Sequence, residues 1–193
     1  MLDRKLIFSI VFSITAVLSS ATDAADTGDA VSVWPLSVSH PRGAAWERVK
    51  RTETSVVYRL LAQGDLRVAM VSAVDLQREI PNDKVLLDEA KRLVKVTTNG
   101  MHGPNANIVR ESYVAEKHVG HRCVKVATNT EVQPPSGVAV PAQIIRAKFF
   151  VCSLPDAKGR VGYLLAFSYV SPQELSERED DAEQFFRGIT LKR

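Results

Sequence analysis

The chain has 193 residues, of which 45% are hydrophobic and 24% are charged, and its formal net charge is +3 at pH 7. This mild excess of positive charge argues against a dedicated nucleic-acid-binding protein, which would carry a clustered basic face. A chain of this size buries roughly 70% of its unfolded surface, so it needs neither a cofactor nor many disulfides in order to fold.

The first 24 residues are arranged as a secretory signal peptide. Arg4 and Lys5 form a short basic region, a mainly apolar run of thirteen residues follows over 6–18, and small residues over 19–25 offer cleavage positions. The alternative is a membrane anchor, but a spanning helix needs about 20 apolar residues. The sequence therefore predicts a signal peptide over 1–24, a periplasmic or secreted protein, and no stable membrane span after cleavage.

A flexible segment over 25–40 is predicted to precede a single α+β domain over 41–193. Ala25 to Asp29 is interpreted as a disordered leader, and the rest of the segment as extended chain because Pro35 and Pro41 exclude a helix. Trp46 then follows a turn. It is expected to close one end of the core rather than to stack on a ligand.

Two β-rich runs, Ser55–Ala62 and Leu66–Val74, are separated by a short loop that contains Gly64. This pattern predicts a β-hairpin. In the second run both alternating sets of residues are largely apolar, which indicates a strand that is covered on both faces.

The strongest helix signal runs from Asp83 to Thr97. Leu86, Ala90 and Leu93 recur at helical spacing, and Gly100 is predicted to lie just past the end. The charged residues of this segment are interpreted as a solvated face. We expect the helix to pack on a sheet, followed by a loop over 99–107.

A strand is predicted over Ile108–Glu116, and 117–120 make the turn into the next strand. Two further strands, 121–128 and 144–154, are predicted to pair across a hairpin loop centred on Gly137. After a turn over 155–159, the chain is predicted to continue as an apolar return strand.

The pairing of those two strands has a register that satisfies two independent requirements. It places Val124 opposite Val151 on an apolar face, and it places Cys123 opposite Cys152. Directly opposed strand residues have Cα atoms about 4.5–5.5 Å apart, which is within disulfide range. Together with the secretory signal, this predicts a Cys123–Cys152 disulfide. The alternative is a pair of redox-active thiols, but no Cys-x-x-Cys pair is present.

The chain ends with the return strand Val161–Val170, a helix and a short final strand. Ser171 and Ser176 both begin a capping-box pattern, so the helix is predicted to start at one or the other. Gly188 suits the position beyond its end, and Ile189–Leu191 is predicted to form the final strand.

Candidate chemistry is sparse. A metal site could be composed of His118, His121 and Glu116, with His102 or His40 as a further ligand, but structural zinc takes four ligands at tighter spacings. The two histidines of the turn are also expected there simply as polar residues. The sequence has no Gly-x-Ser-x-Gly elbow, no His-Glu-x-x-His motif and no glycine-rich phosphate loop. It therefore predicts no catalytic residue, no metal and no cofactor.

The order hairpin, helix, four strands, helix over Trp46–Leu191 resembles the Mog1/PsbP-like fold, an antiparallel sheet of about six strands between helical layers. The run Phe149–Pro155 (FFVCSLP), the strand that ends Phe167-Ser168-Tyr169, and the pair Phe185-Phe186 are similar to little-characterised secreted bacterial proteins of that type. The resemblance implies an α/β/α sandwich and an accessory or partner-binding role, and it carries over no catalytic residue.

Three hypotheses for function follow. The first is a secreted, non-enzymatic accessory or partner-binding domain of the bacterial envelope, whose partner is another envelope protein. The alternative is a small-molecule or lipid carrier with a cavity between the sheet and the Asp83–Thr97 helix. An enzyme that uses His102 or His118 has the least support.

Overall fold

The computed structural model describes residues 30–33, 35–41, 46–62, 65–103, 106–134, 141–154 and 160–191. The signal peptide over 1–24, the leader over 25–29, and the turns predicted before Trp46, at 63–64 and over 155–159 lie outside the described residues. The centre of the long hairpin loop, 135–140, lies outside them as well. These assignments stay predictions.

The described chain contains ten strands and two helices. The strands are β1 (Val31–Val33), β2 (Leu36–Val38), β3 (Glu47–Arg51), β4 (Ser55–Ala62), β5 (Asp65–Asp75), β6 (Ala106–His118), β7 (His121–Val132), β8 (Gln143–Ser153), β9 (Val161–Val170) and β10 (Ile189–Leu191). The helices are α1 (Asp83–His102), between β5 and β6, and α2 (Ser176–Arg187), between β9 and β10.

Seven strands form one antiparallel sheet in the order β3-β4-β5-β9-β8-β7-β6, and β1, β2 and β10 form a small second sheet. The α+β class and the sheet between helical layers are confirmed, with seven strands in place of about six. The additional strand is β3. Its sequence, ERVKR, lacks apolar alternation, and it forms because the edge of β4 offers unpaired backbone groups.

The central strands of the sheet are buried on both faces. On one face α1 contributes Leu86, Ala90, Leu93 and Val94 to a cluster with the inward side chains of β7, β8 and β9. On the other face of the sheet, the side chains that point away from α1 pack against Phe185 and Phe186 of α2 and against the N-terminal strands β1 and β2. Alternation along each strand therefore supplies two separate cores.

The predicted register of β7 and β8 is confirmed. Val124 pairs with Val151, Val126 with Phe149, and Cys123 with Cys152. The two cysteines form a disulfide, with their Cα atoms 4.0 Å apart. Cys123 is 1% exposed and Cys152 is fully buried, so the bond lies inside the core beneath α2.

The N-terminal segment differs from its prediction. Residues 31–33 and 36–38, in the segment expected to be flexible, form the paired strands β1 and β2, and β2 also pairs with β10. Val31, Val33, Leu36 and Val38 are all buried. These four apolar residues cover the core on the disulfide side of the sheet, and this burial orders the segment.

Both helices differ from their predicted ends. Asn82 accepts a hydrogen bond from the Val85 N–H at 3.0 Å and begins α1 as expected. The helix continues past Gly100 to His102 and ends at Gly103, which has a φ of 82°. Of the two predicted starts of α2 the second is observed, at Ser176, but no side-chain cap is formed there. Within the described ranges, neither helix is long and apolar enough to cross a membrane.

Candidate binding site at the carboxyl end of α1

Helix α1 covers only part of its face of the sheet. It packs on β6, β7 and β8, and no described helix covers the same face of β3, β4 and β5. Leu66, Val68 and Met70 of β5 point to this side and stay partly exposed. The uncovered half of the sheet is therefore an apolar surface next to the end of the helix.

A cavity of about 140 Å³ lies where the end of α1 meets this surface. Gly100, Met101 and His102 form one wall. The apolar side chains of the opposite walls come from β4, β5, β8 and β9, among them Val57, Leu66, Val68, Met70, Ile145 and Val170.

The size of the cavity limits its occupants. Pockets for drug-sized ligands are about 300–1,000 Å³, whereas an engineered apolar cavity of about 150 Å³ holds a single benzene ring. At about 140 Å³, this cavity accepts one ring or one branched side chain. A lipid chain or a larger cofactor does not fit.

Gly100 keeps part of the cavity open. A Cβ atom added at Gly100 would meet no other atom within 4 Å, so the missing side chain leaves free space beside the cavity. Gly100 lies inside the last turn of α1, and the glycine with a positive φ at the end of the helix is Gly103. A side chain at position 100 would therefore be accommodated by the helix and would enter the site.

His102 is the polar group of the wall. Burial lowers the pKa of its imidazole to about 4, so the ring is neutral at pH 7. Its Nδ1 is buried and has no hydrogen-bond partner among the described residues. An unpaired buried nitrogen loses the hydrogen bond that it would make to water.

The rim of the cavity is basic. Lys50 of β3 is exposed and forms no ion pair with any residue in the described ranges. Arg59 of β4 lies beside it and donates to Glu47 Oε2 at 2.7 Å. One cation of the rim is thus neutralised within the chain, and the other is available to an acidic group.

A second cleft, of about 360 Å³, lies on the opposite face between the start of α2 and strands β6, β7 and β8. Two charged groups of its wall, Lys148 and Glu179, are paired with each other, and Lys148 also contacts Glu183 at 3.4 Å. These ion pairs, with that of Lys125 and Glu183 at 2.9 Å, attach α2 to the sheet. Arg110 and Glu174, which also line the cleft, form no ion pair within the described ranges.

The candidate metal ligands of the sequence are not brought together. His102 lines the apolar cavity, whereas His40 stacks edge-on against Tyr58 with ring centroids 5.0 Å apart. His118 and His121 face each other across the β6–β7 turn. Among the residues that the structure describes, no group of three or more His, Cys, Asp or Glu side chains is arranged to hold a metal ion.

His118 has a structural role in this arrangement. Its Nε2 donates to the carbonyl oxygen of Phe186 at 3.1 Å, and its ring packs on Phe150 with centroids 4.8 Å apart. Burial lowers the pKa of this imidazole. The side chain therefore connects the β6–β7 turn to the end of α2 as a neutral group.

The sequence interpretation missed most of this site. Gly100, Met101 and His102 were predicted to lie in a loop, and β3 was not predicted at all. The available signal was the run over 66–74, in which both alternating sets of residues are largely apolar.

Comparisons with known proteins agree with the fold. No protein-family model matches the chain, and no curated protein matches it in sequence. The solution structure of cyanobacterial PsbP (CyanoP) from Synechocystis matches with a TM-score of 0.50 and 15% identity, over 91% of this chain and 99% of that one. The Ran-binding protein Mog1p of Saccharomyces cerevisiae matches with a TM-score of 0.47 and 11% identity, over 86% of this chain and 95% of that one.

These likenesses concern the fold alone, because the identities are low. The predicted resemblance to the Mog1/PsbP-like fold is confirmed. Functional residues are not transferred by such a likeness.

Proposed function

We propose that this protein is a non-enzymatic, partner-binding accessory domain of the cell envelope, and that its cavity beside His102 holds one large side chain of a partner protein. The observation that carries the proposal is the cavity's size of about 140 Å³ together with its apolar walls. Protein interfaces depend on a few large side chains that fill well-packed pockets near their centre.

The chemistry of the walls indicates which side chain fits. An aromatic ring matches the volume of the cavity. Tyrosine and tryptophan carry such rings and are enriched at interface hot spots. Exposed Lys50 on the rim favours an acidic residue beside that ring.

The carrier alternative requires a larger cavity. A lipid or drug-sized ligand occupies about 300–1,000 Å³, and the apolar cavity at the end of α1 is about 140 Å³. A larger cleft of about 450 Å³ lies between α1 and β6, but it is open, and polar and charged side chains, among them Lys91, Lys95 and Arg110, line it. Native mass spectrometry of the purified protein is expected to show no co-purified ligand. A bound lipid would instead support the carrier.

Location in the envelope is supported by two observations. The N-terminal 24 residues have a signal-peptide pattern, and the chain contains the buried Cys123–Cys152 disulfide. Disulfides persist in the periplasm and outside the cell and are rare in the cytosol.

Binding of an isolated ring tests the site. In NMR titrations with p-cresol, which carries the ring and hydroxyl of tyrosine, we expect the largest shift changes at Gly100, Met101 and Val68. Gly100→Leu should abolish them, because its side chain enters the cavity. Val96→Leu, at an exposed position of the same helix, is the matched control and should bind normally.

Photo-cross-linking in the native compartment tests the partner. A photoreactive phenylalanine analogue at Met101 is expected to capture one envelope protein, and the same analogue at Val96 is not. The proposal fails if capture is the same at both positions, or if Gly100→Leu does not reduce capture at Met101.

A further inference from the structure

The two edges of the large sheet are built differently. Edge strand β3 has five residues, four of them charged, and its register with β4 is irregular between Arg48 and Lys50. Short length, charge and irregularity are the usual means by which a sheet edge avoids further pairing. Edge strand β6 has thirteen residues, and of the described strands only β7 pairs with it.

Strand β6 carries charged residues, Arg110, Glu111, Glu116 and Lys117, but it lacks the other two protections over most of its length, because it is long and regular. Its single irregularity lies between Ile108 and Arg110, and from Arg110 to His118 the pairing with β7 is continuous. The strand contains no proline, and Val114, at its centre, is 59% exposed. A long, regular and partly apolar edge is a template for an additional strand.

The β6–β7 turn identifies the backbone groups that are free. His118 and His121 flank a two-residue turn and pair with each other, so they form a hydrogen-bonded pair. Because the pattern alternates, the N–H and C=O groups of Glu111, Tyr113, Ala115 and Lys117 point away from β7 to the open edge. Four successive residues of that set can accept a partner strand.

We propose that β6 pairs with β6 of a second copy of this chain, antiparallel and with the two-fold axis at Val114, so that two seven-stranded sheets join into one. Such an interface is isologous, because each copy offers the same strand.

Charge supports this register. With Val114 opposite itself, Glu111 of each copy lies opposite Lys117 of the other, which gives two symmetric ion pairs. Within one copy Lys117 is opposite Arg122, a like charge, and Lys117 has no ion-pair partner in the described part of the chain. An incoming carboxylate relieves that repulsion. The remaining contacts pair Tyr113 with Ala115 and bury the exposed Val114 side chains against each other.

The neighbouring register is less favourable. With the axis at Tyr113, Arg110 lies opposite Glu116, but Lys117 then meets Val109 at the irregular position and Val114 meets Ser112. That arrangement keeps two ion pairs but loses the apolar contact at the axis. The Val114 register uses only the continuous stretch from Arg110 to His118.

A cysteine at the axis tests the geometry. In the proposed register Val114 is a non-hydrogen-bonded pair with itself, with Cα atoms about 4.5 Å apart and within disulfide reach. Both native cysteines are already bonded to each other. Under mild oxidation, full-length Val114→Cys is expected to form a covalent dimer at least tenfold faster than Val96→Cys, which is equally exposed. Equal rates would overturn the proposal.

A charge swap tests the pairing itself. In sedimentation equilibrium, Glu111→Lys is expected to weaken the dimer of the wild-type protein about tenfold or more, because two attractions become two repulsions. The double variant Glu111→Lys with Lys117→Glu should restore it to within about threefold, because the pairs are re-formed with reversed sign. A wild-type protein that stays monomeric up to millimolar concentration, or a double variant no tighter than Glu111→Lys, would refute the proposal. Thermal melting of each variant confirms that it is folded.

Discussion

Val119 occupies a backbone conformation that its side chain disfavours. It is the first residue of the β6–β7 turn, with a φ of 51°, and Gly120 follows with a φ of 81°. Two successive residues with positive φ between paired strands form a type I′ turn, for which Asn-Gly is a preferred sequence. A β-branched residue in this region is strained by roughly 1–2 kcal/mol.

Replacing Val119 by asparagine is therefore expected to stabilise the protein. Val119→Asn should raise the free energy of unfolding by about 1 kcal/mol, because asparagine tolerates the left-handed region. Urea denaturation measures the change. Val114→Asn, at an exposed position of β6 outside the turn, is the control and should not raise the free energy of unfolding. Equal effects of the two variants would show that the strain at Val119 is negligible.

In helix α1, Gly100 lowers the stability of the helix but leaves space in the cavity. Glycine inside a helix costs about 0.5–1 kcal/mol relative to alanine. A Cβ atom at this position meets nothing within 4 Å, but it narrows the cavity. Gly100→Ala is therefore expected to raise stability by about 0.5 kcal/mol and to weaken p-cresol binding.

The two readouts of Gly100→Ala must move in opposite directions. Thermal denaturation gives the stability, and NMR titration gives the affinity. Asn99→Ala, in the same helical turn but outside the cavity, should leave the affinity unchanged. Unchanged binding by Gly100→Ala would indicate that the cavity is not the binding site for the ring.

At the scale of elements, the parts of the fold with two constraints were predictable. The Cys123–Cys152 pair and the apolar pair Val124–Val151 require the same register, and β7 and β8 adopt it. The end of α1 is indicated in the sequence only by a glycine, and both Gly100 and Gly103 are candidates for that position. Gly103 is the one at the left-handed position, and this choice depends on how the helix packs on the sheet.

The candidate site was less predictable because it depends on distant parts of the chain. The cavity exists where the last turn of α1 stops above β5 and β9, and its rim comes from β3. A sequence of alternating residues does not show how far a helix extends over a sheet. Short strands that form by pairing, such as β3 and β10, carry little periodicity of their own.

At the scale of the whole molecule, protons bind differently to the folded and the unfolded chain. Burial lowers the pKa values of His102, His118 and His121 below the ordinary value of 6.5, and that of His102 falls to about 4. Burial alone would raise the pKa of Glu183, but ion pairs with Lys125 and Lys148 outweigh it and lower the value. Because of all four shifts, the folded chain binds fewer protons at acidic pH than the unfolded chain does.

The sign of the pH dependence follows from these shifts. Above about pH 8 the three histidines are almost fully neutral in both states and contribute no slope. As the pH falls below 6.5, the unfolded chain takes up protons that the folded chain does not, so stability decreases. His102, the most deeply buried of the three, contributes up to about 1.4 kcal/mol per pH unit until its folded pKa is reached. His118 and His121 are more exposed and contribute less, because solvent screens their charges. For His102 this window extends from pH 6.5 down to about 4.

Unfolding in urea at a series of pH values from about 8 down to about 4 measures this linkage. We expect the free energy of unfolding to be level near the upper end of the series and to fall with increasing slope as the pH passes through 6.5. His102→Gln should make the decrease shallower by up to about 1.4 kcal/mol per pH unit, because one of the groups that protonates only on unfolding is removed. Met101→Leu, a neighbour in the same cavity wall without a titrating group, should keep the wild-type slope. If His102→Gln has the wild-type slope, His102 binds its proton equally in both states, and the cavity is then open enough to hydrate a charged imidazole.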